Sequence, residues 1–262
     1  MVVHIVKRER MVTMDRIIHD GERLEDLGRR GRVIIQATGR FCFGSDAVFL
    51  AHFVKAGRKD KLLDIGTGTG IIPILCEALY DIDSLTGLEI QQESADMARR
   101  SVIANHLENK IDIVTGDICN ADNLFKKGSF SVITTNPPYM IGGHGIVNPS
   151  DTLAMARHEI SCTLQDILEQ SEKLLCDGGH FYMVHRPFRL PEIMTGMCTV
   201  GIEPKRLRLV YTNLEKEPTM VLIEGVKKGK PRLTVEKPLI VFKEDGTYTD
   251  EVKSYYGESD EQ

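Results

Sequence analysis

The sequence predicts an α/β fold built on a doubly wound, mostly parallel sheet. Three observations carry this reading. Short apolar, β-branched segments alternate with helical segments at the spacing of βαβ units. The first apolar segment runs straight into a glycine-rich turn. Polar residues recur at the carboxyl ends of successive strands, the edge at which open α/β sheets bind ligands.

The elements follow in order. Lys61–Ile65 reads as a first strand, entering Gly66-Thr67-Gly68-Thr69-Gly70, and Ile71–Tyr80 as a helix that tolerates Pro73 in its first turn. Ser84–Ile90 is a second strand with Glu89 at its end, and Gln91–Ala104 a second helix. Ile111–Val114 is a third strand, closed by Thr115-Gly116-Asp117, and Phe130–Thr135 a fourth, ending against Asn136. The Gly-rich stretch 140–151 has the length of a loop over a site. A helix over Glu159–Leu175, stopped by Asp177-Gly178-Gly179, precedes a fifth strand at His180–His185 and a helix at Leu190–Val200. Lys205–Tyr211 and Thr219–Gly225 form two further strands across a turn containing Pro218, the last of them antiparallel.

Ahead of Lys61, Val33–Gln36 reads as a strand and Ala47–Val54 as a helix capped by Ser45 or Asp46. Between them Thr38 to Asp46 is turn-rich and aromatic. Residues 1–55 hold too little apolar material for a separate core, so they are expected to pack as an extension on a domain spanning 56–243, with 244–262 as an acidic tail.

At 262 residues, 42% hydrophobic and 27% charged, the composition is that of an ordinary globular protein. No apolar run approaches the roughly 20 residues needed to span a bilayer, and MVVHIVKRER lacks a secretory apolar core, so a cytoplasmic location is expected. Cys42, Cys76, Cys119, Cys162, Cys176 and Cys198 are widely spaced with no CxxC pair; they read as free thiols, with no metal site. The net charge of −5 hides an asymmetry: residues 201–243 carry ten Lys/Arg against five Asp/Glu, and 244–262 one Lys against seven acids. A locally basic segment matters more to a polyanionic partner than net charge does.

The run Asp64-x-Gly66-x-Gly68-x-Gly70, with Thr67 between glycines, sits where a strand turns sharply into a helix and where side chains would keep a ligand from the backbone. Its glycine spacing differs from GxGxxG, with Ile71 in the third glycine's place, which disfavours a pyrophosphate cradle. A turn glycine-rich purely for tight packing has the same composition. Glu89 suits both hydroxyls of a ribose, with Ile90 beside it; Asp117 suits an adenine amino group, with Ile118 to pack on the ring.

Asn136-Pro137-Pro138-Tyr139 is the most informative run. Two prolines hold the backbone extended and remove two N–H donors. What remains is mostly acceptor, the Asn136 side-chain carbonyl and the Pro137 carbonyl, with the Tyr139 ring for stacking. An exocyclic amine is a poor nucleophile because its lone pair is delocalised into the ring. Two acceptors gripping its N–H groups favour a more tetrahedral nitrogen aimed at a sulfonium methyl, so transfer rests on alignment and electrostatics.

A base within stacked or paired nucleic acid would have to be turned out to reach this point. Phe41 and Phe43 could frame it. Arg40, Lys205, Arg206, Arg208, Lys227, Lys228, Lys230 and Arg232 are candidate phosphate contacts.

With these motifs in place, the chain resembles the class I, Rossmann-like methyltransferases that carry NPPY. More narrowly, it resembles bacterial tRNA adenine-N6 methyltransferases acting next to the anticodon of a valine tRNA. The likeness covers nearly the whole chain, including Phe43-Gly44-Ser45-Asp46-Ala47-Val48, the stretches around Asp64, Gly87-Leu88-Glu89-Ile90 and Thr135-Asn136, Ala156-Arg157-His158-Glu159, His185-Arg186-Pro187 and Leu222 to Pro231.

It implies seven strands, the seventh antiparallel between the fifth and sixth. It implies S-adenosyl-L-methionine as cofactor, with Gly66, Gly68 and Gly70 around its methionine part, Glu89 at its ribose and Asp117 at its adenine. Asn136 and Tyr139 would hold the base of a tRNA substrate. No obligate protein partner and no membrane is expected, and the chain would be a monomer or homodimer. The same motif serves glutamine-amide protein methyltransferases and DNA adenine methyltransferases. Residues 1–55 are too short for the helical substrate domain of the former, and no target-recognition domain of the latter is visible. A non-catalytic nucleotide- or RNA-binding module would not need amine-aligning acceptors.

Overall fold

The computed structural model describes residues 17–37, 44–137 and 162–257. Eleven strands lie among them: β1 (Glu22–Asp26), β2 (Val33–Ala37), β3 (Lys61–Ile65), β4 (Ser84–Glu89), β5 (Ile111–Thr115), β6 (Phe130–Thr135), β7 (Leu175–His185), β8 (Ile202–Tyr211), β9 (Met220–Lys227), β10 (Thr234–Val235) and β11 (Leu239–Ile240). The helices are α1 (Ser45–Phe53), α2 (Ile71–Tyr80), α3 (Gln92–Ala104), α4 (Leu164–Leu174), α5 (Leu190–Val200) and α6 (Asp250–Tyr255).

Nine strands form one sheet in the order β10-β8-β9-β7-β6-β3-β4-β5, with β11 also on β8. β3 to β7 run parallel, and β9 enters antiparallel between β7 and β8. This is the expected seven-stranded order. The two short strands β10 and β11, which the sequence reading did not foresee, pair in parallel with β8 and cover its outer edge.

Side chains alternate across the sheet with period two. Leu62, Val132, Tyr182, Val184 and Leu222 enter the core layer beneath α1, α2 and α3. Leu63, Ile133, Phe181, Met183, Val221 and Ile223 enter the opposite layer, beneath α4 and α5.

The amino-terminal hairpin β1–β2 packs on α3, and Ile34 and Leu27 share a core cluster with the sheet. Edge strand β2 is satisfied by side chains of that helix: Asn105 Oδ1 accepts from Val33 N at 2.9 Å, and Ser101 Oγ accepts from Ile35 N at 3.0 Å. β1 escaped the sequence reading because ERLED lacks an apolar alternation. Helix α1 is preceded by Gly44 as N-cap with no side-chain cap bond; Asp46 instead accepts from the neighbouring Ala47 N–H. Helix α4 starts at a capping box, Thr163 with Asp166, and ends at Leu174; Gly178, at φ +77°, therefore lies within β7. The expected start at Glu159 lies outside the described residues.

The acidic end packs on the core through α6. Val252 of α6 is fully buried, and Tyr255 stacks on His52 with ring centroids 4.1 Å apart. Its acids are neutralised locally, Glu251 by Arg208 and Asp250 by Lys243. A charge count cannot register such pairing. No helix among the described residues is long and apolar enough to cross a membrane.

Candidate active site

Parallel register brings the carboxyl ends of β3, β4, β5 and β6 level: Asp64 faces Gly87 and Thr134, and Glu89 faces Thr115. Four of the residues singled out by sequence, Asp64, Glu89, Asp117 and Asn136, are thereby collected at one edge.

Asp64 is completely buried, and its Oδ1 accepts a hydrogen bond from Thr134 Oγ1 at 2.7 Å. Burial pushes its carboxyl up to about 7, against the lowering effect of the Thr134 bond and with a smaller upward push from Glu89. Thr67, also buried, lies near enough to act on Asp64, but its hydroxyl is outside hydrogen-bonding geometry. Asp64 Oδ2 and Thr67 Oγ1 are both buried without a hydrogen-bond partner. Both atoms lie at the glycine-rich turn.

The turn itself hangs on β4. Gly66 N and Thr67 N both donate to Leu88 O, at 2.9 and 3.0 Å. Gly66 and Gly68 take left-handed backbone at φ +70° and +57°, and a Cβ at either would meet no protein atom within 4 Å. That side of the turn is open, and backbone can approach a ligand there. Gly70, also left-handed, does different work: a Cβ would stand 3.3 Å from Ala98 Cβ, so this glycine permits close packing on α3.

Glu89 is 6% exposed, and each of its oxygens already holds one backbone N–H, Gly68 N on Oε2 and Gln91 N on Oε1, both at 2.8 Å. Each oxygen keeps a further acceptor site, which suits two vicinal hydroxyls. Ile90 is 41% exposed beside it. Asp117 accepts from Cys119 N at 2.9 Å and caps the 3-10 segment Ile118–Asn123. Ile118 itself is buried in the core layer under α4. Ile90 offers the larger exposed apolar surface at this edge.

Thr135 Oγ1 donates to Ile65 O at 3.1 Å, tying the end of β6 to β3 immediately before half-buried Asn136 and buried Pro137. Pro138, Tyr139, Arg40, Phe41, Phe43 and the loop 140–151 lie outside the described residues. Sequence reasoning missed Thr134 and Gly87. The first is one more β-branched strand residue by pattern; the second leaves room for Thr67, whose Cγ2 would stand 2.7 Å from a Cβ there.

The basic segment does not gather around this edge. Arg206 is enclosed by Glu224 and Glu236, donates to Phe53 O at 2.7 Å and lies 4.3 Å above the Phe53 ring. Arg208 makes two bonds to Glu251, and Lys227 reaches Glu172 and the Leu175 carbonyl at the end of α4. Lys228 pairs with Asp177, and Lys205 donates to Lys230 O. Because β9 runs against β7, with Val226 opposite His180 and Val221 opposite His185, Lys227 and Lys228 fall at the sheet edge opposite Asp64. Lys230 and Arg232 are exposed. Of the cations read as candidate phosphate contacts, Arg206, Arg208, Lys227 and Lys228 are engaged in intramolecular ion pairs.

Comparison with known proteins places this architecture. The family model described as Methyltransferase small domain matches residues 37–197. A relative from Porphyromonas gingivalis named tRNA1(Val) (adenine(37)-N6)-methyltransferase is 30% identical over 187 residues, covering 69% of this chain and 72% of its own. One of the same name from Tolumonas auensis is 27% identical over 211 residues, covering 79% and 85%. Among solved structures, a predicted O-methyltransferase from Agrobacterium tumefaciens superposes with a TM-score of 0.66 at 21% identity, over 82% of this chain and 97% of that one. Geranyl diphosphate C-methyltransferase from Streptomyces coelicolor A3(2), solved with S-adenosyl-L-homocysteine, gives 0.51 at 15% identity, over 70% and 75%. These structural likenesses speak for the fold.

Proposed function

Since the chain belongs to the Methyltransferase small domain family, we propose that it uses S-adenosyl-L-methionine to methylate N6 of an adenosine in tRNA, the one adjacent to the anticodon of a valine tRNA. The names of the tRNA1(Val) relatives support the substrate. The observation that carries the chemistry is the position of Asn136-Pro137, tied by Thr135 to β3 at the same edge as the open Gly66–Gly68 turn.

The residues fit the cofactor. Glu89 offers acceptor sites for ribose hydroxyls, Ile90 an exposed apolar surface for adenine, and Asp64 and Thr67 unpartnered polar atoms at the turn. When bound, the cofactor supplies an electrophilic methyl on a sulfonium. Asn136 Oδ1 and the Pro137 carbonyl would accept from the two N–H groups of the target amine and orient its lone pair for in-line displacement. Tyr139 would stack on the base. As the new N–C bond forms the amine becomes acidic, and its proton leaves to solvent without a strong base in the site.

The hairpin β1–β2 joins the sheet's core cluster through Leu27 and Ile34, an arrangement unlike a separate domain for gripping a protein substrate, which favours RNA over a glutamine amide. Labelled cofactor, incubated with the protein and separate pools of tRNA, duplex DNA and protein, should label tRNA. Labelling of the protein pool with none of tRNA would overturn the proposal.

A further inference from the structure

Cys119 and Cys162 stand 43 residues apart in sequence, yet the fold brings them together. Cys119 lies in the 3-10 segment that follows β5. Cys162 precedes Thr163, the N-cap of α4. One sulfur from each and one carboxylate oxygen of Asp166 all lie within 4.8 Å of one another, and the three residues are half-buried. A triangle with sides of 4.8 Å has a circumradius of about 2.8 Å, so a single point lies that close to all three donors. Zinc bonds measure about 2.3 Å to sulfur and about 2.0–2.2 Å to carboxylate oxygen, a contraction within side-chain freedom.

We propose that Cys119, Cys162 and Asp166 bind one thiophilic divalent cation of the zinc class, which clips the segment after Asp117 to the start of α4. Two sulfurs and one oxygen suit zinc better than magnesium or calcium, which take oxygen. On binding, two metal–sulfur bonds form, two S–H bonds break and both protons go to solvent. Asp166 Oδ2 is also engaged by Thr163 in the capping box, which fixes the carboxylate at the start of α4.

The site stands independently of the methyl-transfer reading, and its test reads metal alone. The full-length protein, stripped with chelator and kept reduced without added thiols, is titrated with cobalt(II), then zinc(II). One equivalent of cobalt should bind with a thiolate-to-metal charge-transfer band, and zinc should displace it. Cys119→Ser and Cys162→Ser should each weaken binding about tenfold or more, while Cys198→Ser, outside the cluster, should not. In the unaltered protein, zinc should protect Cys119 and Cys162 from alkylation, a readout that needs no variant. Absence of a bound equivalent would overturn the proposal, as would binding that survives the double serine variant or oxidation of the two thiols to a disulfide without metal uptake.

Discussion

Replacing Glu89 by Gln keeps the side chain's length and shape while turning one acceptor into a donor. In the native protein Oε2 accepts from Gly68 N and Oε1 from Gln91 N, each at 2.8 Å. An amide has a single oxygen, so in Glu89→Gln one of these N–H groups faces an NH2. With the residue 6% exposed, water is poorly placed to substitute. Losing a hydrogen bond to a charged acceptor costs about 1.5–3 kcal/mol, and a chain of this size loses about 2–4 °C of Tm per kcal/mol. The ligand-free variant should therefore melt about 3–12 °C lower. The acceptor sites offered to ribose are altered in the same change, so S-adenosylhomocysteine should bind roughly ten- to a hundredfold more weakly. Thermal unfolding without ligand isolates the first effect, and calorimetric titration at a temperature where both proteins are folded isolates the second. Unchanged affinity would refute the assignment of Glu89 to the ligand; an unchanged melting temperature would refute its role in holding the turn.

Other perturbations test the remaining assignments. Asn136→Ala should abolish methyl transfer while cofactor affinity stays within a few-fold, as measured by single-turnover labelling and titration; retained turnover would remove Asn136 from amine alignment. Arg206→Gln takes the guanidinium away from buried Glu224, which keeps His180 and the Tyr182 hydroxyl, and should cost about 1.5–3 kcal/mol in chemical denaturation with no change in KM for tRNA. A raised KM in folded protein would restore Arg206 as a phosphate contact. Tyr255→Ala removes the stack on His52 and the bond to Glu251 and should lower stability by about 3 kcal/mol; an unaffected variant would mean that the docking of α6 contributes nothing to the fold.

How much was legible in the sequence follows from what each feature depends on. Asp64, Glu89, Asp117 and Asn136 could be placed because a parallel sheet fixes chain direction, and strand ends then share an edge whatever the packing in between. The antiparallel β9 was legible from the short turn around Pro218. Cys119 with Cys162, Arg206 with Glu224, and α6 on His52 were not, since each depends on a meeting of distant segments that no local pattern encodes. Arg206 shows why composition misled: a cation counted toward a basic surface is sandwiched between two acids and an aromatic ring.

Asp64 carries the last prediction. Its folded value, about 7, lies above the ordinary 3.8 because burial outweighs the Thr134 bond. Between those values the folded protein holds a proton that the unfolded chain has released, so its contribution to stability is complete below pH 4 and is lost as pH rises through 7. Asp64→Asn cannot titrate, and the difference in melting temperature, wild type minus variant, should therefore fall across that window. A flat difference would mean that Asp64 is already ionised when folded. Bound cofactor gives the prediction its functional edge. The ammonium of the methionine part, if it reaches the unpartnered Asp64 Oδ2, would favour the carboxylate, draw the value down and release a proton on binding near pH 6. Calorimetric titration in buffers of different ionisation enthalpy would detect that proton, and Asp64→Asn should abolish it.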